Sequence, residues 1–176
     1  MNLPMLERYL RGYIIGFTVF MLAIPYGIYA VATTYYGPDI FNPLIRVVIS
    51  LLLIIIGLVL AVWSNIALLL NGKGGPTDLF NVAVSPRTQH LVVEGPYQYT
   101  RNPMVLGFFL CYLAMALSLN SVPALLGVII FFIAVRFYLQ ETEERRLWKD
   151  FGKEFEEYRR HVPMIVPCVF RRRKKR

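Results

Sequence analysis

Acid is scarce in this sequence, and over long stretches charge of either sign is missing altogether. Eleven Asp and Glu stand against nineteen Lys and Arg, and residues 12–38, 47–72 and 102–135 carry no charged side chain. A water-soluble domain does not keep three such runs, because its helices need a polar face toward solvent. Cysteine is equally sparse. Cys111 lies within an apolar run and Cys168 near the basic end, without metal-ligand spacing, so neither a disulfide framework nor a thiol nucleophile is indicated. A phosphate loop, an HExxH pair and a Ser/His/Asp arrangement are also lacking. No metal site is expected.

What is present in their place is hydrocarbon. Hydrophobic residues make up 56 % of the chain, against the ~45–50 % usual in soluble domains. Each uncharged run is long enough to cross a bilayer, which takes about 20 apolar residues. The first is too long for the h-region of a cleavable signal peptide, and no small-residue cleavage site follows it. The third would extend about 50 Å as one helix, and Asn120-Ser121-Val122-Pro123 near its middle reads as a turn. It is therefore split into Met104–Leu119 and Val122–Tyr138. With spans near Tyr13–Thr33, where Pro25 predicts a kink, and Ile45–Leu70, the fold class is all-α: a polytopic membrane protein of about four transmembrane helices. Four crossings place 17 of the 19 Lys and Arg on one side, and residues 34–43 and 119–122 hold none. By the positive-inside rule both termini are cytosolic.

Two segments outside the membrane are substantial. Asn71–Asn102 is a long loop in a chain of short connections, and its Leu91-Val92-Val93, Gly95-Pro96, Tyr97 and Tyr99 suit an ordered structure. After the last span, Gln140–His161 reads as an amphipathic helix with Leu147, Phe151, Phe155 and Tyr158 on one face, interrupted at Gly152 and ended by Val162-Pro163. The hairpin between these segments brings Arg101 toward Glu143 and Glu144 at the membrane surface, where ionisable groups are functional candidates. Solvated glutamates and a snorkelling arginine are the bland alternative. The basic cluster Arg171–Arg176 is expected to meet anionic lipid headgroups rather than nucleic acid.

The stretch Glu94-Gly95-Pro96-Tyr97-Gln98-Tyr99-Thr100-Arg101-Asn102-Pro103-Met104-Val105-Leu106-Gly107 resembles the signature of the isoprenylcysteine carboxyl methyltransferase and phospholipid methyltransferase superfamily. Its second half matches Glu143-Glu144, Leu147, Phe151-Gly152, Tyr158 and Val162-Pro163, so the resemblance covers about residues 70–167. It implies an S-adenosylmethionine site without a Rossmann sheet and a lipophilic acceptor entering from the bilayer. By the same resemblance Gln89, His90, Leu91, Val92 and Tyr97 line the methyl donor, together with Asn102, Pro103, Met104 and Val105. Glu143 holds a polar part of it, with Glu144 the weaker candidate, and Arg101, Asn102 and Glu143 are the catalytic candidates. Gly72-Lys73-Gly74 is either a faint Gly-x-Gly element or a helix C-cap.

Three departures stand out. Asn102 replaces the family's usual histidine, as in many prokaryotic members and some phospholipid methyltransferases; the expected location is a prokaryotic cytoplasmic membrane. Val105 replaces a tyrosine. Leu139 stands where the carboxyl methyltransferases have an arginine for the substrate carboxylate, and Arg136, one turn earlier, substitutes only if the helix register differs. The acceptor is thus left open between carboxylate, amine and thiol, with an NADPH-dependent membrane reductase or a non-catalytic relative as rival readings. The expected organisation is two spans over 12–70, a donor-binding loop over 71–102, a hairpin over 103–138, a cytosolic helix and end segment over 139–167, and a basic tail over 168–176.

Overall fold

A computed structural model describes residues 3–35, 42–72, 78–79, 82–83 and 88–167. Lys73, Arg87 and the basic tail fall outside the described residues. Among the described residues six α-helices follow one another: α1 (Leu3–Phe17), α2 (Ile24–Thr34), α3 (Pro43–Ala67), α4 (Pro103–Ser118), α5 (Val122–Leu139) and α6 (Arg145–His161). Three helical stretches are long and apolar enough to cross a membrane, Gly12–Thr34, Pro43–Gly72 and the helix beginning at Val122, and Pro103–Ser118 is a shorter apolar helix. This is an all-α membrane protein. Among the described residues the extended pairing is one small antiparallel ladder, Asp78–Leu79 with Val82–Ala83.

The expected kink at Pro25 takes a specific form. Proline has no N–H to offer the preceding turn. The chain widens into a π-helix over Thr18–Ala23, where the Ile24 N–H donates to the Val19 carbonyl. Such a bulge releases a backbone carbonyl, and in hydrocarbon each released group needs a partner. The Tyr112 hydroxyl on α4 supplies it, donating to the Phe20 carbonyl at 2.8 Å. Phe20, Phe108 and Tyr112 stack around that bond, with centroid separations of 5.1 and 6.2 Å.

The split of the third run falls where the sequence puts it. Asn120 adopts φ 53°, Ser121 accepts from the Ala124 N–H, and Pro123 enters the first turn of α5. A short polar turn thus satisfies its own backbone and folds α5 back along α4, where the Phe109 and Phe132 rings lie 3.8 Å apart.

The closest crossing in the bundle joins α3 to α4. A Cβ built on Gly107 would lie 2.6 Å from the Gly57 carbonyl oxygen and 2.9 Å from the Ala61 nitrogen. Lipid tails give apolar helices no hydrophobic reason to associate, so small residues that let backbones touch supply the packing. Ser50, Gly57, Ser64 and Ala67 are the buried positions of α3, and its large residues face outward. This crossing fixes the start of α4 against the end of α3, where the long loop leaves.

Candidate functional site

The loop is anchored at both ends. The Gln89 N–H donates to the Gly72 carbonyl at 2.8 Å, and Gly72 packs against Thr88 and Val92. Val92 is buried with Ala67 and Tyr97, and Leu91 and Val93 lie against the buried cluster Phe155, Tyr158 and Val162. Leu91 and Val92 therefore use their side chains to pin the loop. Gln89 and His90 are exposed. Gly95, at φ 63°, takes a left-handed conformation that glycine adopts without penalty. It opens a 3₁₀ turn over Gly95–Gln98 beside the Trp63 indole.

That turn buries Tyr97, whose carbonyl accepts from the Tyr158 hydroxyl at 2.7 Å. Thr100, Arg101 and Asn102 are tied to the segment beyond α6. The Arg101 N–H donates to the Pro163 carbonyl at 2.9 Å, the Thr100 hydroxyl to the Met164 carbonyl at 3.2 Å, and the Asn102 Nδ2 to the same carbonyl at 3.0 Å. Asn102 thus spends its amide on positioning. Pro103 is buried, and Met104 and Val105 are half-buried at the start of α4.

Arg101 and Glu144 meet as the hairpin implied, Nη2 to Oε1 at 2.8 Å, with side chains only 9 % and 6 % exposed. Arg159 Nε adds a longer contact of 3.7 Å to the second oxygen of Glu144. The Arg101 guanidinium also sits 5.9 Å from the centre of the Phe155 ring. Burial lowers its pKa, and Glu144 works against that shift. Nε and Nη1 of Arg101 are buried without a hydrogen-bond partner among the described residues, so the pair leaves donor capacity unused.

Glu143 and Glu144 lie on a π-helical stretch, Gln140–Glu144, that joins α5 to α6. They part company there. Glu144 turns in to the arginines, while Glu143 keeps 39 % of its side chain accessible and lies 3.9 Å from Arg146 Nη2. Its carboxyl is nevertheless raised to about 7, first by burial and then by the charge of Glu144. Tyr97 lies within electrostatic reach of Glu143. Its hydroxyl pKa is pushed up by burial, then by Glu143 and Tyr158.

Leu139, one turn toward the membrane, is buried, and Arg136 is exposed on the last turn of α5. The π-stretch does shift the register, but it leaves Arg136 outside. A groove along α1 lined by Glu7, Leu10, Ile14 and Ile15 lies apart from these residues. Sequence reasoning missed Thr100, Met164, Arg159 and Trp63 as builders of the site. It marked Phe155 only as part of one face of a helix, whose period was its only signal, and Tyr158 on that face and within the resembled signature.

The model of the phospholipid methyltransferase family matches residues 45–154, well over half of the chain. The chain belongs to that family. Methanethiol S-methyltransferase 2 of Bradyrhizobium diazoefficiens is 38 % identical over 82 residues, 44 % of this chain and 29 % of the relative. The protein-S-isoprenylcysteine O-methyltransferase of Schizosaccharomyces pombe is 36 % identical over 92 residues, 50 % of this chain and 38 % of the relative. Methanethiol S-methyltransferase of Crocosphaera subtropica is 33 % identical over 73 residues, 42 % of this chain and 28 % of the relative. The matched stretch thus covers well under half of each relative's length. No solved structure matches the chain significantly.

Proposed function

We propose that the chain transfers a methyl group from S-adenosylmethionine to a lipophilic acceptor that reaches the site from the bilayer, with loop, site and both termini on the cytosolic side. The observation that carries this reading is the buried Arg101–Glu144 pair at 2.8 Å. It draws the loop and the helix after the hairpin together and leaves Glu143 outside the pair, partly accessible.

The residues present suit a donor that carries an amino-acid head and a ribose. Glu143 can accept hydrogen bonds from hydroxyl or amino groups, the unused Arg101 donors suit a carboxylate, and the backbone over residues 91–93, outside any helix or strand, adds amide and carbonyl groups. Bound there, the donor supplies an electrophilic methyl on a sulfonium. The chain's share of the work is alignment, which supplies much of the rate when reactants are held in near-attack geometry. The α3–α4 crossing and the tie to Met164 keep the start of α4 in place for that purpose. Buried Leu139 and the half-buried Met104 and Val105 suit an apolar acceptor body. The names of the relatives, a thiol and a prenylcysteine methyltransferase, support acceptors of this kind.

Calorimetry on the detergent-purified chain tests the reading. S-adenosylhomocysteine should bind, and Glu143→Ala should weaken it about tenfold or more, the loss of a charge-assisted hydrogen bond. Binding of NADPH with no affinity for either S-adenosyl compound would overturn it.

A further inference from the structure

Residues far apart along α6 come together at the site. Arg159 Nε lies 3.7 Å from one Glu144 oxygen, although fifteen residues of straight helix would put about 22 Å between the two positions. Arg101 repeats the observation. Its side chain bonds Glu144, and its N–H bonds the Pro163 carbonyl, nineteen positions further on. A straight helix would hold those partners about 28 Å apart, beyond the reach of one arginine.

The bend that reconciles these contacts is at Gly152, with φ 50° and ψ −119°. A Cβ there would meet no atom within 4 Å, so crowding does not call for glycine. The backbone angle does, because L side chains rarely take positive φ. Leu147 and Phe151 before the bend pack against Phe155, Tyr158 and Val162 beyond it, and Leu91 and Val93 of the loop join the same cluster. The hydrogen bonds that hold the loop come from beyond the bend as well: Tyr158 on Tyr97, Pro163 on Arg101, and Met164 on Thr100 and Asn102.

On the reading that this site transfers a methyl group, we propose that Gly152 is a positioning residue for the methyl donor. It acts through Tyr158, Arg159, Pro163 and Met164. Its left-handed bend turns residues 153–164 back onto the loop, and those residues fix Thr100, Arg101 and Asn102. An L side chain at 152 favours the right-handed angles of its neighbours. The helix then runs on, carries Met164 away from the loop and leaves the membrane bundle in place.

The test places spin labels on the full chain in detergent through Arg145→Cys and Arg160→Cys, both exposed positions, with Cys111→Ala and Cys168→Ala. The parent should give a separation well short of the straight-helix value of about 22 Å, and Gly152→Ala should lengthen it. In unlabelled chains, Gly152→Ala should weaken S-adenosylhomocysteine binding about tenfold or more, the scale of one lost hydrogen bond. Gly152→D-Ala, introduced in cell-free synthesis, has the mirror-image backbone preference. It should keep both the short separation and the parent's affinity, which a general loss of packing would not allow. A Gly152→Ala chain with the parent's separation would overturn the proposal, and so would a longer separation with unchanged affinity. Should Gly152→Ala not fold, tenfold weaker binding by Gly152→D-Ala would decide against it. A parent that shows the short separation yet binds no S-adenosylhomocysteine would overturn the proposed function, and the positioning role with it, while the bend itself stands.

Discussion

Replacing Arg101 by methionine while Glu144 stays should cost the folded protein about 3–5 kcal/mol, the penalty for stranding a buried charge. Glu144 is 6 % exposed, and its remaining partner, Arg159 at 3.7 Å, has a side chain 54 % exposed, so water screens most of that attraction. Glu144→Leu should cost about as much, because Arg101 would then be the stranded ion beside the Phe155 ring. The double variant should return to within about 1–2 kcal/mol of the parent, since two apolar groups in a buried pair's place leave nothing unpaired. Unfolding of the four proteins in one detergent closes the cycle, with donor affinity as a second readout. The double variant should regain stability without regaining affinity, because the Arg101 donors left free beside the pair would be gone. Single variants each costing less than about 1 kcal/mol, as exposed pairs do, would refute the reasoning, as would additive costs.

Gly107→Val places a Cβ within 2.6 Å of the Gly57 carbonyl oxygen and must part α3 from α4. A cost of about 1–3 kcal/mol or more, read as a lowered Tm in detergent, is expected, and Gly127→Ala, which meets nothing, is its control. Tyr112→Phe leaves the Phe20 carbonyl without the hydroxyl that serves it and should cost about 0.6–1.7 kcal/mol, visible in the same melts. Glu143 binds its proton more tightly folded, near 7, than unfolded, near 4.5. Between those values the folded state holds the extra proton, so its contribution to stability falls as pH rises through the window. Relative to Glu143→Gln, the wild-type Tm should be higher at pH 5 than at pH 8.

How much of this was legible beforehand depends on the range over which each feature is decided. The turn at Asn120–Pro123, the break at Gly152 (φ 50°, ψ −119°) and the helix end at Val162 come from local backbone chemistry, and the sequence carries them directly. The meeting of Arg101 with Glu144 needed only the hairpin length and the rule for charge at a membrane surface. The division of labour between Glu143 and Glu144 follows from a π-helical stretch that no residue pattern announces. The carbonyls of Pro163 and Met164 carry no side-chain signature, so a motif could not reveal that they hold Thr100, Arg101 and Asn102. Tyr112 read as one more aromatic in an apolar span, because the Phe20 carbonyl it satisfies is freed only by the widening ahead of Pro25.

The tie between Thr100–Asn102 and the Pro163 and Met164 carbonyls joins residues more than sixty positions apart in the chain. During synthesis the hairpin enters the membrane before α6 exists, and Arg101 waits at the surface without its glutamate. Its alignment is completed only after residue 164 has left the ribosome. The bundle is therefore inserted before this tie can form, and on the proposed reading damage confined to residues 162–165 would yield a chain that reaches the membrane in normal amounts but binds S-adenosylhomocysteine poorly.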